Sequence, residues 1–259
     1  MPDAAALLSA FDAQARPAEW TVLDPGAEVH PDGPVFRVSW PRRRGFVGGP
    51  PDLGVTGREL DALIARQRDF FAARDQGFEW KTWGHDTPAD LPARLVAAGL
   101  ESEGRETVLI GLAAEMTAEV EVDGVVVREV ADEDDVRRLA ATATEVFGRG
   151  HEWLVDRLLE AKDDPNVVAV VAEADGRVVS SSRIEVVPGT EFAGLWGGGT
   201  LAEWRGKGIY RALVAYRARL AVARGIKYLQ VDASEDSRPI LERLGFVAVT
   251  TTTGYAWSP

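Results

Sequence analysis

Thr200-Leu201-Ala202-Glu203-Trp204-Arg205-Gly206-Lys207-Gly208-Ile209-Tyr210-Arg211-Ala212-Leu213 decides the reading of this chain. It follows residues 192–201, which read as a strand, and opens residues 208–223, which read as a helix. Such a junction attracts anions. The first N–H groups of a helix lack intrahelical partners, and the positive end of the dipole points the same way. Gly206 and Gly208 let the backbone approach a phosphate closely. Arg205 and Lys207 add positive charge. No Gly-Lys-Ser/Thr follows, so this is not a P-loop. The third glycine of the dinucleotide fingerprint is also missing. Without further context, the same residues also read as a glycine-rich turn with solvated basic side chains.

Working outward, the second half reads β-α-α-β-β-β-α-β-α-β. Residues 125–130 form a strand, 132–147 an acid-led helix and 151–162 a second helix. Strands 167–174 and 177–187 flank the hairpin signal Asp175-Gly176. After the 192–201 strand and the 208–223 helix come strand 228–233, short helix 238–244 and strand 246–252. Upstream, residues 4–15 read as a helix ended before Pro17. Residues 20–34 read as loop, 35–40 as strand and 41–57 as loop around Arg42-Arg43-Arg44 and Gly45-Phe46-Val47-Gly48-Gly49. Helix 57–74 and strand 78–83 follow. Helix 88–98 has Thr87 as its cap and Gly99 as its stop. Strand 106–112 ends the half. Its last part echoes the end of the second half: a helix, a Gly, an alternating strand, then a short helix closing on Gly99-Leu100 or Gly245-Phe246. This predicts an internal duplication, with residues 1–115 and 116–259 as the two domains.

Arg205-Gly206-Lys207-Gly208-Ile209-Tyr210, after a strand and before an amphipathic helix, resembles the motif of the GNAT superfamily of N-acetyltransferases. The element order of residues 125–257 and the ending Leu244-Gly245-Phe246 are similar to that family too. The resemblance implies an α/β (α+β) fold of two GNAT-like domains. Each would be a mixed, mostly antiparallel sheet flanked by helices, with a splayed strand pair in the second domain. It implies that acetyl-CoA is the cosubstrate, held by Gly199, Thr200, Leu201, Arg205, Gly206, Lys207, Gly208, Ile209, Tyr210 and Ser234. The N–H near Leu201 would polarise the acetyl carbonyl. The first domain lacks the motif and reads as a degenerate copy.

The family's base is a carboxylate near the cleft, for which Glu185, Glu203 and Asp232 are the candidates. His151 is a weaker candidate for the acceptor side. Two positions depart from the family pattern. Tyr210 stands where Gly or Ala is usual. Leu241 stands where many members place a tyrosine that protonates the leaving thiolate. Trp80, Trp83, Trp153, Trp196 and Trp204 could line an aromatic pocket for a cation or simply pack.

The chain has 259 residues, 46% hydrophobic and 27% charged, as expected for a packed globular protein. A net charge of −12 argues against nucleic-acid binding and suits a cationic small-molecule acceptor. No cysteine is present, and the three histidines lack metal-ligand spacing. With no signal peptide or membrane-length apolar run, a cytoplasmic location is expected. A homodimer is left open. The expected activity is acetyl transfer to a primary amine. The alternatives are a non-catalytic acyl-CoA-binding or sensing module and a partner-binding protein with an empty cradle.

Overall fold

A computed structural model of the protein describes residues 3–21, 26–41, 43–148 and 150–259, with only the backbone of Trp20. The chain forms two compact units. The first comprises Met1–Leu109, Asp232–Pro239 and Ala248–Pro259; the second comprises Ile110–Val231 and Ile240–Val247. A single cut between residues 115 and 116 does not reproduce them, because the end of the chain returns to the first unit.

In the first unit, α1 (Ala4–Ala10) starts at Asp3, whose side chain accepts from the Ala5 N–H at 3.1 Å. The helix does not stop before Pro17. A π turn at Phe11–Ala15 carries it into α2 (Arg16–Thr21), with the Arg16 N–H bonded to the Phe11 carbonyl. The wider turn eases the clash between a proline ring and the carbonyl of the preceding turn. The expected loop at 20–34 instead holds the end of α2 and strand β1 (Glu28–Asp32), and residues 22–25 lie outside the described residues. β1 pairs with β2 (Val35–Trp40) around Gly33-Pro34, with Gly33 at φ 59°. A two-residue hairpin favours such a glycine. Pro31 is tolerated because β1 is an edge strand. The expected loop at 41–57 holds strand β3 (Arg43–Gly48).

Next come α3 (Gly57–Ala72), β4 (Phe78–Trp83), α4 (Leu91–Ala97) and β5 (Glu101–Leu112). Asp90, not Thr87, occupies the cap position of α4. Thr87 is held elsewhere: its N–H donates to Pro51 O at 2.7 Å and its carbonyl accepts from Leu53 N at 3.0 Å. The last strand, β11 (Val247–Trp257), runs antiparallel to β4, from Thr252 opposite Trp83 to Trp257 opposite Phe78. The order is β1-β2-β3-β4-β11-β5. Tyr255 of β11 thereby joins Leu60, Leu63, Ile64, Phe71, Phe78 and Trp80 in this unit's core.

The second unit contains β6 (Val126–Glu129), α5 (Glu133–Phe147), α6 (Glu152–Glu160), β7 (Val167–Ala174), β8 (Arg177–Val186), β9 (Phe192–Thr200) and α7 (Ile209–Ala223). Most of β10 (Tyr228–Ala233) and α8 (Arg238–Arg243) also belong to it. Asp132 caps α5, accepting from the Asp135 N–H at 2.9 Å. The strand order is β10-β9-β8-β7-β6. β9 and β10 are parallel and pair only through 192–194 and 228–230, so β9 runs on beyond its partner. The remaining pairs in this sheet are antiparallel.

Both units share one internal plan. Two antiparallel pairs, β1-β2-β3 in one and β7-β8-β9 in the other, lead into a parallel pair bridged by a helix. That crossover is β3-α3-β4 in one unit and β9-α7-β10 in the other, with three paired residues per strand in each. The duplication read from the final elements therefore extends further upstream.

Candidate functional site

β9 ends at Thr200, a 3-10 turn covers Ala202–Trp204, and α7 starts at Ile209. Leu201, Ile209 and Leu213 pin this junction into a buried cluster. Gly206 has φ 76° and Gly208, the α7 N-cap, has φ 88°, and no side chain caps the helix. Other residues adopt such backbone angles only at a cost. A Cβ on Gly206 would meet nothing within 4 Å, and one on Gly208 only Val122 at 3.8 Å and Val120 at 4.0 Å. The first α7 bond runs from Ala212 N to Gly208 O at 3.0 Å, so the preceding N–H groups have no intrahelical acceptor. Arg205 is exposed, yet its Nε reaches back to Thr200 O at 3.0 Å. Lys207 Nζ stands 4.4 Å over the Trp204 ring. Backbone donors and open space thus meet at the start of α7, with two basic side chains in the turn that leads into it. The arrangement fits a pyrophosphate.

The second feature is a bulge in β9. Ser181 pairs with Gly199 but Arg183 pairs with Trp196, so β9 carries an extra residue, with Gly197 at φ 60°. A bulge leaves that residue outside the ladder and bends the strand. Gly199 is a glycine for another reason: its Cβ would lie 2.6 Å from Val146 Cγ1. The Leu201 N–H, expected to face an acetyl carbonyl, donates instead to Val179 O at 3.0 Å. The residue free of the ladder lies upstream, at Gly197-Gly198. Three successive glycines were its sequence signal.

All three candidate bases are engaged by cations. Glu185 accepts from Arg183 Nε at 2.6 Å, with Arg157 at 3.7 Å. Glu203 is exposed and pairs with Arg177 at 3.0 Å. Asp232 falls in the first unit, buried against Lys81 Nζ at 2.9 Å. Ser234 is in that unit too, its hydroxyl 3.2 Å from that of Ser237. The cradle and Glu185 and Glu203 lie in the second unit.

Glu19, missed in the sequence, contacts Lys81 at 3.4 Å, and its Oε2 is buried without a hydrogen-bond partner. Burial holds the Glu19 carboxyl above its ordinary range, against the pull of Lys81. Nothing in the local sequence announces that burial.

His151 is a buried N-cap of α6, with its ring 5.4 Å from Phe147 and 6.1 Å from Trp153. Leu241 is wholly buried. Trp80 and Trp83 are buried in the first unit; Trp153, Trp196 and Trp204 lie in the second, and Trp153 is exposed. Arg42 lies outside the described residues. Arg44 is no loop side chain: it sits on β3 and bridges Glu79 at 2.5 Å and Glu103 at 2.6 Å. Among the described residues no acidic or histidine grouping could hold a metal ion, and no helix is long and apolar enough to cross a membrane.

Residues 134–246 match a family described as "Acetyltransferase (GNAT) family". No curated protein matches the chain. Among solved structures it is similar to a GCN5-related N-acetyltransferase from Kribbella flavida, with a TM-score of 0.71 and 19% identity, covering 95% of each chain. One from Sphaerobacter thermophilus gives a TM-score of 0.66 at 16% identity, over 93% of this chain and 83% of that one. A tandem GNAT protein from the clavulanic acid biosynthesis pathway gives 0.60 at 14% identity, over 91% and 84%. At these identities the likeness establishes the fold, which extends over nearly the whole chain.

Proposed function

Over residues 134–246 the chain belongs to the acetyltransferase (GNAT) family, and from that premise we propose that it moves an acetyl group from acetyl-CoA to a primary amine of a small molecule. The observation that carries this reading is the pair of left-handed glycines, Gly206 and Gly208, at the uncapped start of α7, with open space before Gly206. The amides of residues 206–210 would hold the pyrophosphate, with Arg205 and Lys207 adding charge. The β9 segment 199–201 would lie along the pantetheine arm. The net charge of −12 favours a cationic acceptor. The first unit, which lacks the Arg205–Tyr210 pattern, serves as a degenerate copy without cofactor.

Calorimetric titration of acetyl-CoA into wild type and Gly208→Glu tests this. Micromolar binding by wild type and none by the variant is expected, because the new carboxylate occupies the phosphate position. No binding by wild type ends the reading.

The buried Leu241 at the usual tyrosine position favours a second reading, an acyl-CoA-binding module without turnover. Release of free thiol from acetyl-CoA on adding a panel of amines separates the two: turnover supports the enzyme, and binding without turnover supports the module.

A further inference from the structure

Leu241 leaves α8 without a proton donor, but a phenol stands elsewhere in the same unit. Tyr210, in the first turn of α7, lays its ring on β9. A Cβ at Gly198 would lie 3.0 Å from Tyr210 Cε2 and 3.6 Å from its Oη. The glycine therefore makes room for the ring. Gly198 is part of the β9 bulge, where the strand has left the ladder and has also run past the end of its pairing with β10. The ring is half-buried rather than sealed in.

Behind it lies an uncommon cation. Arg217, two turns along α7, is 1% exposed. Its Nε donates to Leu213 O at 3.1 Å and its Nη1 to Arg183 O at 3.2 Å, both backbone carbonyls. Among the described residues no carboxylate neutralises it. Burial presses Arg217 down to about 10 and the Tyr210 phenol upward, while Arg217 pulls the phenol the other way. Arg183 Nη1 completes the surroundings, 3.2 Å from a Cβ at Gly197. The bulge is thus faced by a protonated phenol. Arg183 is paired with Glu185 at 2.6 Å, so the charge behind the phenol that favours an anion forming there is that of Arg217.

We propose that Tyr210 donates a proton to the sulfur of coenzyme A at the β9 bulge, a role that rests on the acetyl-CoA reading above. In the step, the amine nitrogen bonds to the thioester carbonyl carbon. The carbon–sulfur bond breaks with its electron pair on sulfur, and sulfur takes the Tyr210 hydroxyl proton. The nitrogen loses a proton, which returns through solvent to the phenolate.

The test needs no acceptor. Coenzyme A and desulfo-coenzyme A are titrated calorimetrically into full-length wild type and Tyr210→Phe. One hydrogen bond to sulfur should make wild type bind coenzyme A about five- to tenfold tighter than the desulfo compound. Tyr210→Phe should lose that preference and bind the two compounds equally. Thiolate absorbance of bound coenzyme A should titrate about one pH unit lower in wild type than in Tyr210→Phe. Equal preference and equal titration in the two proteins overturn the proposal while leaving cofactor binding intact. Binding of neither compound by wild type overturns the acetyl-CoA reading itself. If Tyr210→Phe does not fold, Gly198→Ala serves instead, since its methyl pushes on the ring. The same loss of preference is expected, and an unchanged preference counts against the role.

Discussion

Lys81 Nζ lies 2.9 Å from Asp232 Oδ2, joining residues 151 positions apart in the chain. Glu19 stands on the same ammonium at 3.4 Å, so one cation serves two acids in a largely buried cluster. Burial opposes the Lys81 charge, but the two acids outweigh it and raise its pKa. Burial favours the protonated form of Glu19, against the pull of Lys81 and Arg16.

Glu19 should therefore make stability depend on pH. Its folded pKa is raised above the ordinary 4.5. Its contribution is complete below that value and is lost as pH rises through the folded pKa. Relative to Glu19→Gln, wild type should lose melting temperature as pH is raised from 4.5 to neutral. Thermal denaturation of both proteins across that range checks it. A constant gap would mean the carboxyl does not titrate there.

Asp135 should act in the opposite sense. Arg128 grips it at 2.5 and 3.0 Å, Arg138 also bonds it, and the Ala131 N–H donates at 3.0 Å. The Arg128 bonds hold the carboxyl well below its usual range. Its contribution is present above the unfolded value of 3.8 and is lost as pH falls through the folded one. Asp135→Asn should cost about 2–3 kcal/mol at neutral pH. The gap from wild type should narrow in strong acid. Urea unfolding at several pH values measures it, and a gap independent of pH would contradict the assignment.

Gly45→Ala should unsettle the first unit. The added Cβ would fall 2.0 Å from Phe71 Cε1, and Phe71 is stacked on Phe78 at 4.7 Å. Overpacking of this kind costs about 1–3 kcal/mol. Chemical denaturation reads the loss directly; an unchanged midpoint would show that the ring moves aside freely.

Removing residues 248–259 should damage the unit at the other end of the chain. The segment supplies β11 to β4 and Tyr255 to the first core. Hydrogen exchange should show lost protection at residues 78–83, with residues 170–172 and 178–184 retaining theirs. Equal loss in both sets would argue against this division of the chain.

Much of the fold was legible because its elements carry their own signals. β2, β4 and β10 alternate over most of their length, β7 is a nearly continuous apolar run closed by Asp175-Gly176, and α5 announces itself with Asp132 and three acids in its first turn. The failures have local causes. β1 and β3 were hidden by Pro31 and by a basic run, compositions that favour loops but that a paired strand tolerates. The helix through Pro17 continues because a π turn precedes the ring. Thr87 had the right chemistry for a cap, but its backbone bonds elsewhere.

The cradle was determined by contiguous sequence. Two glycines, a helix start and two basic residues fall within one short stretch, so the proposed cradle was legible without any distant partner. What only the tertiary structure decided are matters of partner choice. β11 pairs with β4, Asp232 meets Lys81 and Glu19, the Leu201 N–H goes to Val179, and the Tyr210 phenol lies on Gly198. Periodicity tells which face of an element is buried, but not which distant residue will cover it. Those partners are selected only when the whole chain packs, because the free energy of each contact depends on everything that removes water around it.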